Sequence, residues 1–147
     1  MAEREPLGGD AGDVVREIRI GAPLEVVFEY LVDPAKLCRW MAQDAEVERR
    51  LGGVYRLTID GNVTSGELVE LEPPRRVAFT WGWEGGGPVP PGSSTVVVEL
   101  EPEGDGTLVR LTHRGLPAEA LELHRQGWDR FLPQLAEAAG GQGGPAA

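Results

Sequence analysis

The chain has 147 residues, 41% hydrophobic and 26% charged, which suits one globular domain with one core. Its formal charge of −10 repels phosphate backbones and anionic lipid surfaces, so nucleic acid and peripheral membrane partners are not expected. The single Cys38 can form no internal disulfide, residues 1–6 lead into no apolar signal stretch, and no run approaches the ~20 apolar residues of a membrane span; a cytoplasmic protein is expected.

Residues 1–12 are polar and glycine-rich and read as a flexible leader. Residues 14–20 alternate, with Val14, Ile18 and Ile20 on one side, and predict a first strand. Gly21-Ala22-Pro23 ends it, and Pro23 suits a helix start, where no backbone N–H is needed. Leu24, Val27, Phe28 and Leu31 then form one helical stripe. Asp33 is placed to cap a second, shorter helix that begins at Pro34 and holds Leu37, Trp40 and Met41. Cys38 falls in that turn and reads as a small buried hydrophobe rather than a nucleophile.

Strands follow. After Gly52-Gly53, Tyr55, Leu57 and Ile59 share a face. Asp60-Gly61-Asn62 predicts a hairpin turn, with positive φ expected at Gly and Asn. The return strand, 63–71, has no clear alternation, so the direction of Glu67 stays open; an inward Glu67 would be a natural partner for a pocket His or Arg. Val77, Phe79 and Trp81 form the next inward face, and a Gly/Pro-rich loop spans 84–93. Its Gly85-Gly86-Gly87 lacks the Lys-Ser/Thr and helix start of a phosphate loop and reads as a hairpin loop able to cover a cavity mouth. Val96, Val98 and Leu100 face inward next, then Val109, Leu111 and His113. From Pro117 a helical stripe runs through Leu121, His124, Trp128, Phe131, Leu132 and Leu135, with Pro133 predicting a kink or a restart. Residues 140–147 read as a flexible tail, leaving a single domain at 13–139. Strands and helices segregate, so the class is α+β: an antiparallel sheet curved around one long helix.

Two histidines carry what chemistry the chain offers. His113 has inward strand parity; it is either a core imidazole with satisfied nitrogens or a pocket contact able to act as acid or base. His124 stands one turn before Trp128 and either caps the apolar stripe or reaches His113 across the helix–sheet gap. With no HExxH and no Cys pair, no metal and no cofactor is expected. Trp40, Tyr55, Trp81, Trp83, Trp128 and Phe131 fall at inward positions or element ends and read equally as core or as cavity lining.

A family resemblance rests on an ordered set of short segments: Pro23-x-x-Val26-Val27-Phe28, Asp33-Pro34, Arg39-Trp40-Met41, Gly52-Gly53, Gly66-Glu67, Pro73-Pro74-Arg75-Arg76, Phe79-Thr80-Trp81, Thr107-x-x-x-Leu111-Thr112-His113 and Gly127-Trp128. Across residues 14–138 the chain resembles bacterial homologues of the C-terminal domain of the heat-shock-protein ATPase activator, within the START-like (SRPBCC, helix-grip) superfamily. The resemblance implies about seven antiparallel strands gripping a long C-terminal helix, with a deep cavity between them for lipids, sterols or polyketides. Some superfamily members are cyclases or dehydratases. Stimulation of the ninety-kilodalton chaperone also depends on a separate N-terminal domain, for which this chain is expected to be too short. The expected function is therefore binding of a small apolar or amphipathic molecule. Its expected lining is Trp40, Tyr55, Leu57, Trp81, Val98, Leu111, His113, Trp128 and Phe131. A polyketide-cyclase-like enzyme using His113, with Tyr55 or Glu67 orienting the substrate, and a chaperone-interaction domain using the outer sheet face are the alternatives. A homodimer is left open.

Overall fold

The computed structural model describes residues 12–140. The leader expected at 1–12 and the tail expected at 140–147 lie, apart from Gly12 and Gly140, outside them. The elements run β1 (Gly12–Ile20), α1 (Leu24–Val32), α2 (Pro34–Leu37), β2 (Asp44–Val47), β3 (Val54–Ile59), β4 (Asn62–Glu72), β5 (Arg76–Trp81), β6 (Ser94–Glu103), β7 (Gly106–Leu116) and α3 (Ala118–Gly140). The seven strands form one curved antiparallel sheet in the order β1-β7-β6-β5-β4-β3-β2. No helix among the described residues is long and apolar enough to cross a membrane.

Local chemistry explains the starts and stops. Asp33 caps α2 by accepting the Ala35 N–H at 2.9 Å, with Pro34 in the first turn. In the β3–β4 turn the positive φ values belong to Asp60 (51°) and Gly61 (82°), so Asp60 rather than Asn62 takes the left-handed conformation. That is the pattern of the two-residue turn whose twist matches its strands. Gly82 lets the chain return from the β5–β6 loop: a Cβ there would collide with the Pro90 carbonyl.

The inward set reads as strand parity predicts. Val14, Ile20, Tyr55, Leu57, Val77, Phe79, Trp81, Val96, Val98, Leu100, Val109, Leu111 and His113 are buried against the helices. The opposite face carries a row of alternating charge in strand register: Glu17 beside Arg110, Arg110 beside Glu99, Glu99 beside Arg76. Arg76 bonds both Glu99 and Glu70, and Arg110 bonds Glu17. Glu67 is exposed, on the side of β4 away from the buried Leu68.

Three expectations change here. Cys38 is exposed, not buried, because it is the C-cap just past α2, and Leu37, the last residue of that four-residue helix, takes the buried side. Partial desolvation and the Asp44 carboxylate push its thiol pKa up, away from a nucleophile. Pro133 causes no restart, for α3 runs unbroken through it with the ring on the exposed side. An unforeseen strand, β2, pairs with β3 at the sheet edge.

Candidate functional site

Trp81 ends β5 on the inner face, and Trp83 follows two residues later on the same side, held by a bridge to Thr64. His113 comes from β7, and His124 and Trp128 from successive turns of α3. The sequence could not decide between satisfied and free imidazoles; the hydrogen bonds do. The Trp128 indole N–H donates to His113 Nδ1 at 3.0 Å, so the ring proton sits on Nε2. Nε2 donates to Ser94 Oγ at 2.8 Å, and the Ser94 hydroxyl donates to the Trp81 carbonyl at 2.9 Å. His124 Nδ1 donates to the Ala120 carbonyl at 2.9 Å, and its Nε2 accepts the Trp83 indole N–H at 3.2 Å. The two imidazoles meet edge to face, 5.1 Å between centroids, without a bond between them.

Both rings are held neutral. Burial, then the neighbouring His124, brings the His113 pKa down to about 3. Burial also lowers His124, against a smaller opposing pull from the Ala120 carbonyl. With both nitrogens spent and no exposure, His113 offers no lone pair to a substrate. Among the described residues no three His, Cys, Asp or Glu side chains gather as a metal site would.

The deep helix–sheet gap is closed. Its remaining space is about 10 Å³, at most one water. Trp40, Tyr55, Val98 and Leu111, expected as lining of a large cavity, surround this remnant. They pack as core because Tyr55 stacks on Phe79 at 3.8 Å and its hydroxyl donates to the Leu31 carbonyl at 2.6 Å. The Trp40 indole is likewise spent on the Tyr30 carbonyl at 2.8 Å. Leu57 and His113 are wholly buried and border neither space.

The open space lies at one end of the grip, a groove of about 580 Å³. Of the expected lining it holds Trp81, Trp128 and Phe131. The rest lay outside the expected lining, among them Ile59, Asp60 and Asn62 from the β3–β4 hairpin, Trp83, Pro88 and Val89 from beyond β5, and Leu123, His124, Gly127 and Arg130 from α3. Of these, the sequence marks Trp83 and His124 as candidates beside a gap between helix and sheet. Gly85 and Gly86 stand at the groove, where a loop able to cover a mouth was expected. Arg130 spans from α3 to Asp60 on the hairpin, with bonds of 2.6 and 3.2 Å, and lies 4.6 Å over the Phe131 ring. This pairing holds the Asp60 carboxyl below its usual range. Three of the four indole N–H groups are bonded, those of Trp40, Trp83 and Trp128; the buried Trp81 N–H makes no hydrogen bond.

The sheet wrapped around a long C-terminal helix recurs in known proteins. An AHSA1-like protein from Rhizobium etli, solved in solution, is 41% identical, with 93% of this chain and 88% of that one aligned at a TM-score of 0.71. CalU16 from Micromonospora echinospora is 31% identical over 86% of this chain and 75% of its own, with a TM-score of 0.72. The Mus musculus protein "Activator of 90 kDa heat shock protein ATPase homolog 1" is 33% identical over 88 residues, 59% of this chain. The match spans only 25% of that protein's length. Residues 21–140, from the end of β1 to the last turn of α3, match the family described as "Activator of Hsp90 ATPase homolog 1-like protein". The chain belongs to that family.

Proposed function

We propose that this protein binds a small apolar or amphipathic molecule in the groove at the open end of the grip. One observation carries the reading: about 580 Å³ stays open beside Trp81, Trp83, Trp128 and Phe131 while the rest of the core closes. That volume lies within the range of about 300–1,000 Å³ that small-molecule sites occupy. Catalysis through His113 is not favoured, because neither ring nitrogen is free and the ring does not reach the groove.

The test uses the native tryptophans and one blocking variant. Three indoles border the groove, so a ligand should shift or quench emission saturably for at least one class among fatty acids, sterols and aromatic polyketides. Gly127 lines the groove on α3, and a Cβ there meets nothing within 4 Å. Gly127→Ala should stabilise the fold by about 0.5–1 kcal/mol, as glycine-to-alanine does inside helices. Gly127→Leu should keep the fold and weaken the ligand response. Equal binding by the leucine variant would place the ligand elsewhere, and no response to any class would sink the reading.

A second reading, contact with a ninety-kilodalton heat shock protein, is favoured by the likeness to the mouse activator over 88 residues. It requires saturable binding of the chain to that purified chaperone, weakened by charge reversal at Arg76 or Arg110 on the outer sheet face.

A further inference from the structure

Among the polar groups around the groove, one is out of place. Trp81 is 3% exposed, and its indole N–H has no acceptor. The other three indoles show that this is no general slackness of the fold, for each is bonded at 2.8–3.2 Å. The rings around Trp81 are Trp83 at 5.5 Å, His113 at 5.6 Å, Trp128 at 5.5 Å and Phe79 at 6.2 Å. They offer at most weak π faces to an N–H. A buried donor without an acceptor is costly, and such groups in native folds call for an explanation. Neither nearby imidazole can relieve it. Both nitrogens of His113 and both of His124 are already committed.

The wall that carries this donor is the wall of the groove. We infer that the Trp81 indole N–H is the polar anchor of the site, and that the ligand is a flat apolar molecule with a carbonyl oxygen on its ring system: an aromatic ketone or quinone. This rests on the groove being a binding site, as proposed above. Aromatic walls suit a planar ring system, by offset stacking and edge contacts. A single neutral donor suits a single neutral acceptor; a hydrocarbon would leave it unmatched. The N–H is shielded, so the carbonyl reaches it as Trp83 yields. Trp83 is the half-buried ring of the set, packed edge-on against Trp81 and held through one 3.2 Å bond to His124.

A matched pair of probes tests this: 9-fluorenone, and fluorene, which lacks only the oxygen. In an ¹⁵N-labelled sample each tryptophan gives one indole N–H signal. The Trp81 signal, identified in the wild type by through-space contacts to Phe79 and His113, should begin upfield of the three bonded ones. Fluorenone should move it downfield and fluorene should not. Fluorenone should bind roughly two- to tenfold more tightly, the margin a net hydrogen bond supplies. Trp81→Phe keeps a ring and removes the donor, so it should erase that margin while leaving fluorene affinity nearly unchanged. If the variant does not fold, the wild-type signal and the wild-type affinity ratio still decide. Equal affinities, or a Trp81 signal that fluorenone leaves in place while other groove signals move, would overturn the anchor and leave the groove reading intact. Failure of both probes to move any groove indole would overturn the anchor and its ligand class, whereas the groove reading falls only if the fatty acids, sterols and polyketides of the first test are silent as well.

Discussion

Trp128 and His113 fix each other across the gap between α3 and β7, and the bond between them sets the tautomer of the ring. Trp128→Phe keeps most of the volume but strands a buried Nδ1 acceptor. It should cost about 1–3 kcal/mol, the penalty of an unsatisfied buried group, read by urea denaturation. The same burial makes a pH dependence. His113 has a folded pKa of about 3 against 6.5 unfolded. Between those values the unfolded chain binds a proton that the folded chain refuses. Stability is therefore full above pH 6.5 and falls as pH drops through that window, by up to about 1.4 kcal/mol per unit for one histidine. His124 shifts in the same direction and adds to the slope. The carboxylates of Asp60, Glu70, Glu84 and Asp129 are lowered by arginine partners, and their contributions are lost only below their unfolded values of 3.8 to 4.5. The upper window thus belongs to the imidazoles. His113→Gln can keep both hydrogen bonds without titrating. It should flatten the decline between about pH 6.5 and 5 while leaving groove affinity unchanged, since His113 does not line the groove. A wild-type stability flat across that window would contradict the neutral buried pair.

Elements that obey a simple period were legible in the chain; those that break it were not. In β3, β5 and β7 the inward residues stand at every second position from Tyr55 to Ile59, Val77 to Trp81 and Val109 to His113, and the sequence placed them correctly. In β4 the register slips between Leu68 and Glu70, so parity on one side of the bulge contradicts parity on the other. That is why Glu67 could not be oriented in advance. The four residues of β2 alternate between exposed and half-buried, too short and too weakly apolar to stand out. Pro133 belongs to this scale too. It occupies the exposed side of an unbroken α3 and leaves the Asp129 carbonyl without its helical donor. Pro133→Ala restores that bond and should raise stability, by up to about 3 kcal/mol if nothing depends on the proline. Denaturant melts would read it. A loss of stability would mean instead that the proline helps to seat the last turns of α3 on β1.

At the scale of the molecule, the sequence revealed which residues face inward but not how completely they fill the space. Whether a gap between helix and sheet stays open depends on side chains meeting across elements distant in the chain. Tyr55 stacked on Phe79 and Trp40 bonded under α1 close the deep half. Loop and helix residues such as Val89, Leu123 and Arg130 frame the open half, and no period in the sequence marks them. The groove gathers the β3–β4 hairpin, the β5–β6 loop and the first half of α3. The far end is sealed, with Gly140 packed on Ile20 and Gly21 and Thr107 Oγ1 bonded to the Ala22 carbonyl at 2.7 Å. A ligand should therefore act on one end only. At about a hundred times its dissociation constant it adds about 2.7 kcal/mol to global stability by mass action. Local protection should rise where openings expose the groove. In amide hydrogen exchange, a saturating ligand should slow residues 59–63, 83–89 and 119–131 beyond the global gain, with no extra effect at 18–22, 104–108 or 136–140. Extra protection spread evenly over both ends would mean that the ligand tightens the whole grip. Extra protection confined to the outer strand row of Glu17, Arg110 and Glu99 would move the site to the other face of the sheet.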